Sequence, residues 1–190
     1  MRLLVLSIGA VLLQQCTQSK HHEAVRYSPA DSAYIYAPLH SLFQIGFPQK
    51  PKLKDVIDST DPKSIFEQFA SVTDEDDSTL LMVQFELYSS DYDSTKKDIA
   101  LQLLKKDAAL KGLPNPTIFY DSSRFGDCYK LHASKFVDTD DPKHPIEMMF
   151  DENWYFKKNN LFIVLTMCPE SKYPTKASTD FEVSLKLVRQ

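Results

Sequence analysis

Nucleophilic or metal chemistry in this chain would have to start from its three cysteines and five histidines. Cys128 and His132 share a face of the strand predicted for Phe125 to Phe136. At standard strand rise they sit roughly 13 Å apart, whereas a thiol nucleophile needs its base within about 3 Å. The same gap excludes a shared metal ion, so His132 reads as a half-buried strand residue. Asp138, Asp140, Asp141 and His144 crowd one segment and offer oxygen and imidazole ligands. Pro142 and Pro145, with no glycine between, make that segment a rigid exposed loop instead. Asp74-Glu75-Asp76-Asp77 lacks the ligand order and central glycine of a calcium loop and reads as a solvated tip. His21-His22 lies in a polar stretch and reads as a solvated tail. No GxSxG, HExxH or paired-carboxylate pattern occurs. The expectation is therefore no catalytic residue, no cofactor and no metal site.

The first sixteen residues say where the chain resides. Met1-Arg2 precedes an apolar run from Leu3 to Leu13, then Gln14-Gln15-Cys16. The run is shorter than the roughly 20 residues needed to span a bilayer, and its basic start marks an export signal. It resembles a bacterial lipoprotein signal peptide, with Leu13 and Cys16 at the matching positions; Gln15 departs from the small residue usual before the cysteine. The resemblance implies cleavage after residue 15 and lipid attachment at Cys16. Thr17 in place of Asp implies sorting to the outer membrane. Residues 16–31 are mostly polar and read as a flexible tether, and residues 32–190 as one globular domain.

Composition narrows the function further. The formal charge is −4, and about −5 once Arg2 leaves with the signal, so no basic stripe invites nucleic acid. Only Gly46, Gly112 and Gly126 follow the signal, which excludes a glycine-rich phosphate loop.

From Ser41 the chain turns to β. A strand ends at Pro48, and Lys52 to Ile57, Ser64 to Val72 and Thr79 to Tyr88 follow. In the last, Leu81, Val83, Phe85 and Leu87 alternate with Gln84 and Glu86. A helix is predicted over 94–112, with Ile99, Ala100, Leu103, Leu104 and Leu110 as its apolar stripe and Gly112-Pro114 as its stop. Lys96, Lys97, Lys105 and Lys106 fall on its solvated side. Thr117 to Tyr120, Phe125 to Phe136, Met148 to Phe156 and Leu161 to Met167 read as strands, the last two joined by a tight turn at Lys157-Lys158-Asn159-Asn160. Leu161 to Met167 is apolar almost throughout, so both its faces must be covered. A final helix is predicted from Pro174, with Phe181, Leu185 and Val188 in register. Phe43, Ile45, Val83, Phe85, Leu103, Ile163 and Phe181 are the expected core.

Three patches resemble the PsbP-like superfamily: Phe43-Gln44-Ile45-Gly46-Phe47-Pro48 with Lys50-Pro51, Trp154-Tyr155-Phe156 followed by Asn160 to Val164, and Phe181 to Leu187. The resemblance implies an α+β fold, an α/β/α sandwich whose central antiparallel sheet carries helices on both faces. It also implies an adaptor, assembly or accessory role. Together these readings give a lipid-anchored, non-enzymatic binding or assembly module of the cell envelope. Its partner would be an envelope protein or a small apolar ligand. The competing reading is an envelope enzyme with a site around Cys168, His144 and the neighbouring aspartates.

Export raises the prospect of a Cys128–Cys168 disulfide, but strand register opposes it. If Phe156 turns back to Leu161, Cys168 lies opposite Met149; if Phe136 connects to Glu147, Met149 lies opposite Ser134. Cys128 is then roughly 20 Å along and about 10 Å across, beyond the ~7 Å that a disulfide spans. Two separate thiols are expected.

Overall fold

The computed structural model describes residues 24–56, 64–75, 78–93, 97–123, 125–137 and 145–188. Eleven strands lie in order β1 (Val25–Ser28), β2 (Ala33–Tyr36), β3 (Phe43–Phe47), β4 (Lys52–Val56), β5 (Ser64–Asp74), β6 (Thr79–Tyr88), β7 (Thr117–Ser123), β8 (Gly126–Val137), β9 (Ile146–Lys157), β10 (Asn160–Pro169) and β11 (Lys186–Leu187). Helix α1 (Lys97–Leu110) falls between β6 and β7, and α2 (Lys176–Val183) between β10 and β11. The strands form two antiparallel sheets, a seven-stranded one ordered β4-β5-β6-β10-β9-β8-β7 and a four-stranded one ordered β1-β2-β3-β11.

This overturns the expected α/β/α sandwich. Strand makes up 56% and helix only 17% of the fold, and helices do not supply the cover on both faces. The apolar β10 does need cover on each side, and receives it: Leu161, Ile163 and Leu165 on one face and Phe162 and Val164 on the other are all buried. On the first face α1 packs Ala100, Leu104 and Ala108 over Tyr129, Leu131, Trp154 and Phe156. On the other face a second sheet does most of this work. Tyr36, Phe43, Ile45 and Phe47 meet Val83, Phe85, Phe162 and Val164, and Phe181 and Leu185 close one side. Ring centroids lie 5.3 Å apart for Phe43–Phe162 and 4.8 Å apart for Phe47–Phe181. Burial requires a covering surface and is indifferent to whether helix or strand provides it.

The signal for the extra strands lies in Ala33-Tyr34-Ile35-Tyr36, too short to stand out until paired with Val25–Ser28. β1 falls inside the stretch expected as a tether, and Val25 is buried, so ordered structure begins before Ser32. Tyr36 keeps its phenol satisfied in the core by donating to Gln68 at 3.0 Å, and Gln68 in turn donates to Asp55.

Local chemistry fixes the helix ends. After α1 the Gly112 N–H bonds the Ala109 carbonyl and the Leu113 N–H bonds the Ala108 carbonyl, with Gly112 at φ +63°. That pairing is a Schellman stop, which favours glycine at the left-handed position. Thr175 caps α2, its hydroxyl accepting from the Ser178 N–H at 3.0 Å. Gly126 takes φ +118°, and a Cβ there would meet the Phe156 carbonyl oxygen at 2.6 Å.

The strand register is the expected one. Cys168 pairs with Met149, and Met149 with Ser134. Cys128 sits two strands away, opposite Tyr155, and the two cysteines are buried and not joined by a disulfide. Burial pushes the Cys128 thiol up to about 12. Neither cysteine should react with a disulfide reagent near neutral pH in the native protein. In denaturant without reductant both should react; no titratable thiol until reductant is added would contradict this strand order.

Candidate functional site

The predicted α1 stripe needs correction, and the correction exposes the site. Ala100, Leu104 and Ala108 face the sheet, whereas Ile99 is 51% and Leu103 48% exposed. Positions 99, 103 and 110 form a second row, about 100° or more around the helix from the buried one. Leu103 is therefore not core, although Phe43, Ile45, Val83, Phe85, Ile163 and Phe181 are. Sequence periodicity merged two adjacent rows into one wide stripe.

Ile99 and Leu103 form one wall of a groove of about 200 Å³. The opposite wall is the 88–93 loop, with Tyr88 and Tyr92; Phe156 and Asn160 complete the lining. Tyr92 stacks on Phe156 with ring centroids 4.3 Å apart and 25° between planes. Its hydroxyl lies 2.8 Å from that of Tyr129, which is fully buried. The β9–β10 turn anchors the loop: the Tyr92 N–H donates to the Lys158 carbonyl at 2.7 Å and the Tyr88 N–H to the Asn159 carbonyl at 2.8 Å. In that turn Lys158 occupies the left-handed region at φ 51°. Asn159 spends its side-chain amide on the Tyr88 carbonyl at 3.1 Å. The groove is thus preformed, apolar on its walls, and edged by Asp91 and Asp93.

A second cluster lies on the sheet face opposite α1. His132 Nδ1 and Asp151 Oδ1 are 2.6 Å apart across β8 and β9. Tyr173, in the segment before α2, also hydrogen-bonds Asp151 and has its ring centroid 5.6 Å from that of His132. The carboxylate can only accept, so Nδ1 of His132 is the donor in this pair. Burial and the Asp151 carboxylate both raise the Tyr173 phenol. Glu182 is raised too, by burial first and then by Asp151, with Lys130 opposing. The neighbouring hydroxyl of Ser134 is committed to Glu147 at 2.6 Å. The cluster is a cross-strand polar ladder in which the Tyr173 and Ser134 hydroxyls each have a carboxylate partner.

The residues singled out by sequence divide accordingly. His132 is half-buried as expected, and its distance from Cys128 along β8 stands. Cys168 is buried at the end of β10, two residues along and two strands across from His132, roughly 12 Å away by strand geometry. Cys16, His21, His22, Asp76, Asp77, Lys96, Asp138, Asp140, Asp141 and His144 lie outside the described residues. Among the described residues no group of three or more His, Cys, Asp or Glu side chains is placed to hold a metal ion. No helix among them is long and apolar enough to cross a membrane.

Neither protein-family models nor curated proteins match the chain. Among solved structures it is similar to a protein from Bacteroides thetaiotaomicron VPI-5482, solved at 1.50 Å, with 11% identity and a TM-score of 0.40. The match covers 78% of this chain and 46% of the other, so the chain spans less than half the length of that neighbour.

Proposed function

We propose that the protein is a lipid-anchored, non-enzymatic binding module of the cell envelope, on the outer membrane. It would hold an envelope protein or small apolar ligand in the groove between α1 and the 88–93 loop. The observation that carries this reading is the pair Ile99 and Leu103, held half exposed on a rigid helix opposite Tyr92 and Phe156. Exposed apolar side chains lining a concave surface serve binding far more readily than they serve stability. The Cys16 signal supplies the anchor. Each buried methylene of an attached chain contributes about 0.8 kcal/mol, and two or more chains make the attachment stable.

The anchor is tested by metabolic labelling with a palmitate analogue. The wild type should be labelled and recovered with the membrane, and a Cys16→Ser variant should be neither. Equal labelling of both would refute lipid attachment at Cys16.

A further inference from the structure

We propose that the end of the domain bearing the β9–β10 turn docks against an anionic lipid surface, led by Leu39, Lys157 and Lys158; this rests on the lipid anchor proposed above. The described chain starts at Ala24, whose carbonyl accepts from the Ala37 N–H at 2.7 Å. Ala24 therefore adjoins the 37–42 turn. Leu42 joins that turn to the β9–β10 hairpin by donating to Asn160 Oδ1 at 2.7 Å, and its carbonyl accepts from the Val188 N–H. The entry point of the chain, the hairpin turn and the end of β11 thus share one end of the molecule.

Ala24 lies eight residue steps after Cys16, a reach of at most about 29 Å. The opposite end of β9, at Ile146, lies roughly 36 Å beyond Lys157 at standard strand rise. A lipid at Cys16 therefore holds the hairpin end nearest the bilayer. The exposed groups there suit that neighbour. Leu39 is 53% exposed at the tip of its turn, flanked by exposed His40. Lys158 is exposed and Lys157 half-buried, and neither belongs to an ion pair among the described residues. Two lysines near an anionic surface each strengthen binding about fivefold, and an apolar tip on the adjoining turn can enter the headgroup layer. Asp91 and Asp93 sit on the α1 flank of this end, beside the groove, so the contact is centred on the two turns.

The test uses the full lipidated chain in phosphatidylcholine vesicles with phosphatidylglycerol and a headgroup nitroxide. Single fluorophores are placed at His40→Cys or Ile146→Cys, the native Cys128 and Cys168 being buried. Quenching should be several-fold stronger at position 40 than at 146. Adding Leu39→Asp, Lys157→Glu and Lys158→Glu should bring position 40 down to the level of 146 while the protein stays membrane-bound. Equal quenching at the two positions, or no effect of the triple change, overturns the docking surface and leaves the anchor standing. If Cys16 carries no lipid, the anchor fails, and the chain with Cys16→Ser, mixed with the same vesicles, decides the surface alone: quenching at 40 supports it and none overturns it.

Discussion

An Ile163→Asp variant should fail to fold, whereas Ile163→Val should lose only about 1 kcal/mol. Ile163 is 4% exposed on β10, the central strand, between Gln84 of β6 and Trp154 of β9. Its side chain joins the cluster under α1, where Ala100, Leu104 and Trp154 offer no cation. An unpaired charge there costs several kcal/mol, on top of the lost apolar burial. A domain of this size has only about 5–15 kcal/mol to lose. The expected result is insoluble protein, or soluble protein without a cooperative thermal transition. A soluble variant with an unchanged melting temperature would show that residue 163 does not face the core.

The second large effect concerns Lys111. Its ammonium pairs with Glu152, which is only 2% exposed, and with Asp107 at 2.6 Å. Trp154 Nε1 donates to the other Glu152 oxygen. Burial works against charge on Lys111, but the Glu152 and Asp107 carboxylates overcome it and hold the group above its ordinary range. Burial raises the Glu152 carboxyl, with Lys111 opposing. Lys111→Met leaves that carboxylate buried without its cation, and should cost about 3–5 kcal/mol at neutral pH. Without the cation the folded-state pKa of Glu152 rises further above its unfolded value. The folded variant then binds the proton more tightly, and its stability increases as pH falls from neutral toward the ordinary carboxylate range. Urea unfolding at pH 7 and pH 5 checks this: the gap between variant and wild type should narrow at the lower pH. A gap that is constant or widens would mean that Glu152 is not the group left unpaired.

Much of the large sheet was legible because its strands announce themselves by alternation and its turns by polar residues. The β8-β9-β10 meander follows from two connections alone, since a constant index sum along each antiparallel pair places Cys168, Met149 and Ser134 side by side. Of the four-stranded sheet only β3 was legible, as the strand that ends at Pro48. Val25–Ser28 and Ala33–Tyr36 have four residues each, and the apolar side chains of a short strand do not reveal what will cover them. The groove was hidden for a related reason: Ile99 and Leu103 carry the same apolar signal as Ala100 and Leu104. Their separation into a buried row and an open one depends on how α1 sits over β8 and β9. His132 was placed on its strand, but Asp151 and Tyr173 come from segments distant in sequence and gave no local sign of joining it.

Photo-crosslinking from the groove tests the binding reading most directly. A diazirine amino acid is placed at Leu103, and at Gln102 as an exposed position on the same helix, in the otherwise native lipidated protein in intact cells. The account predicts one discrete adduct, to a protein or to a small apolar molecule, from position 103 and not from 102. That adduct should be lost when Ile99→Asp is added without loss of folding. No adduct from position 103, or the same diffuse adducts from both positions, would contradict the groove as the binding surface.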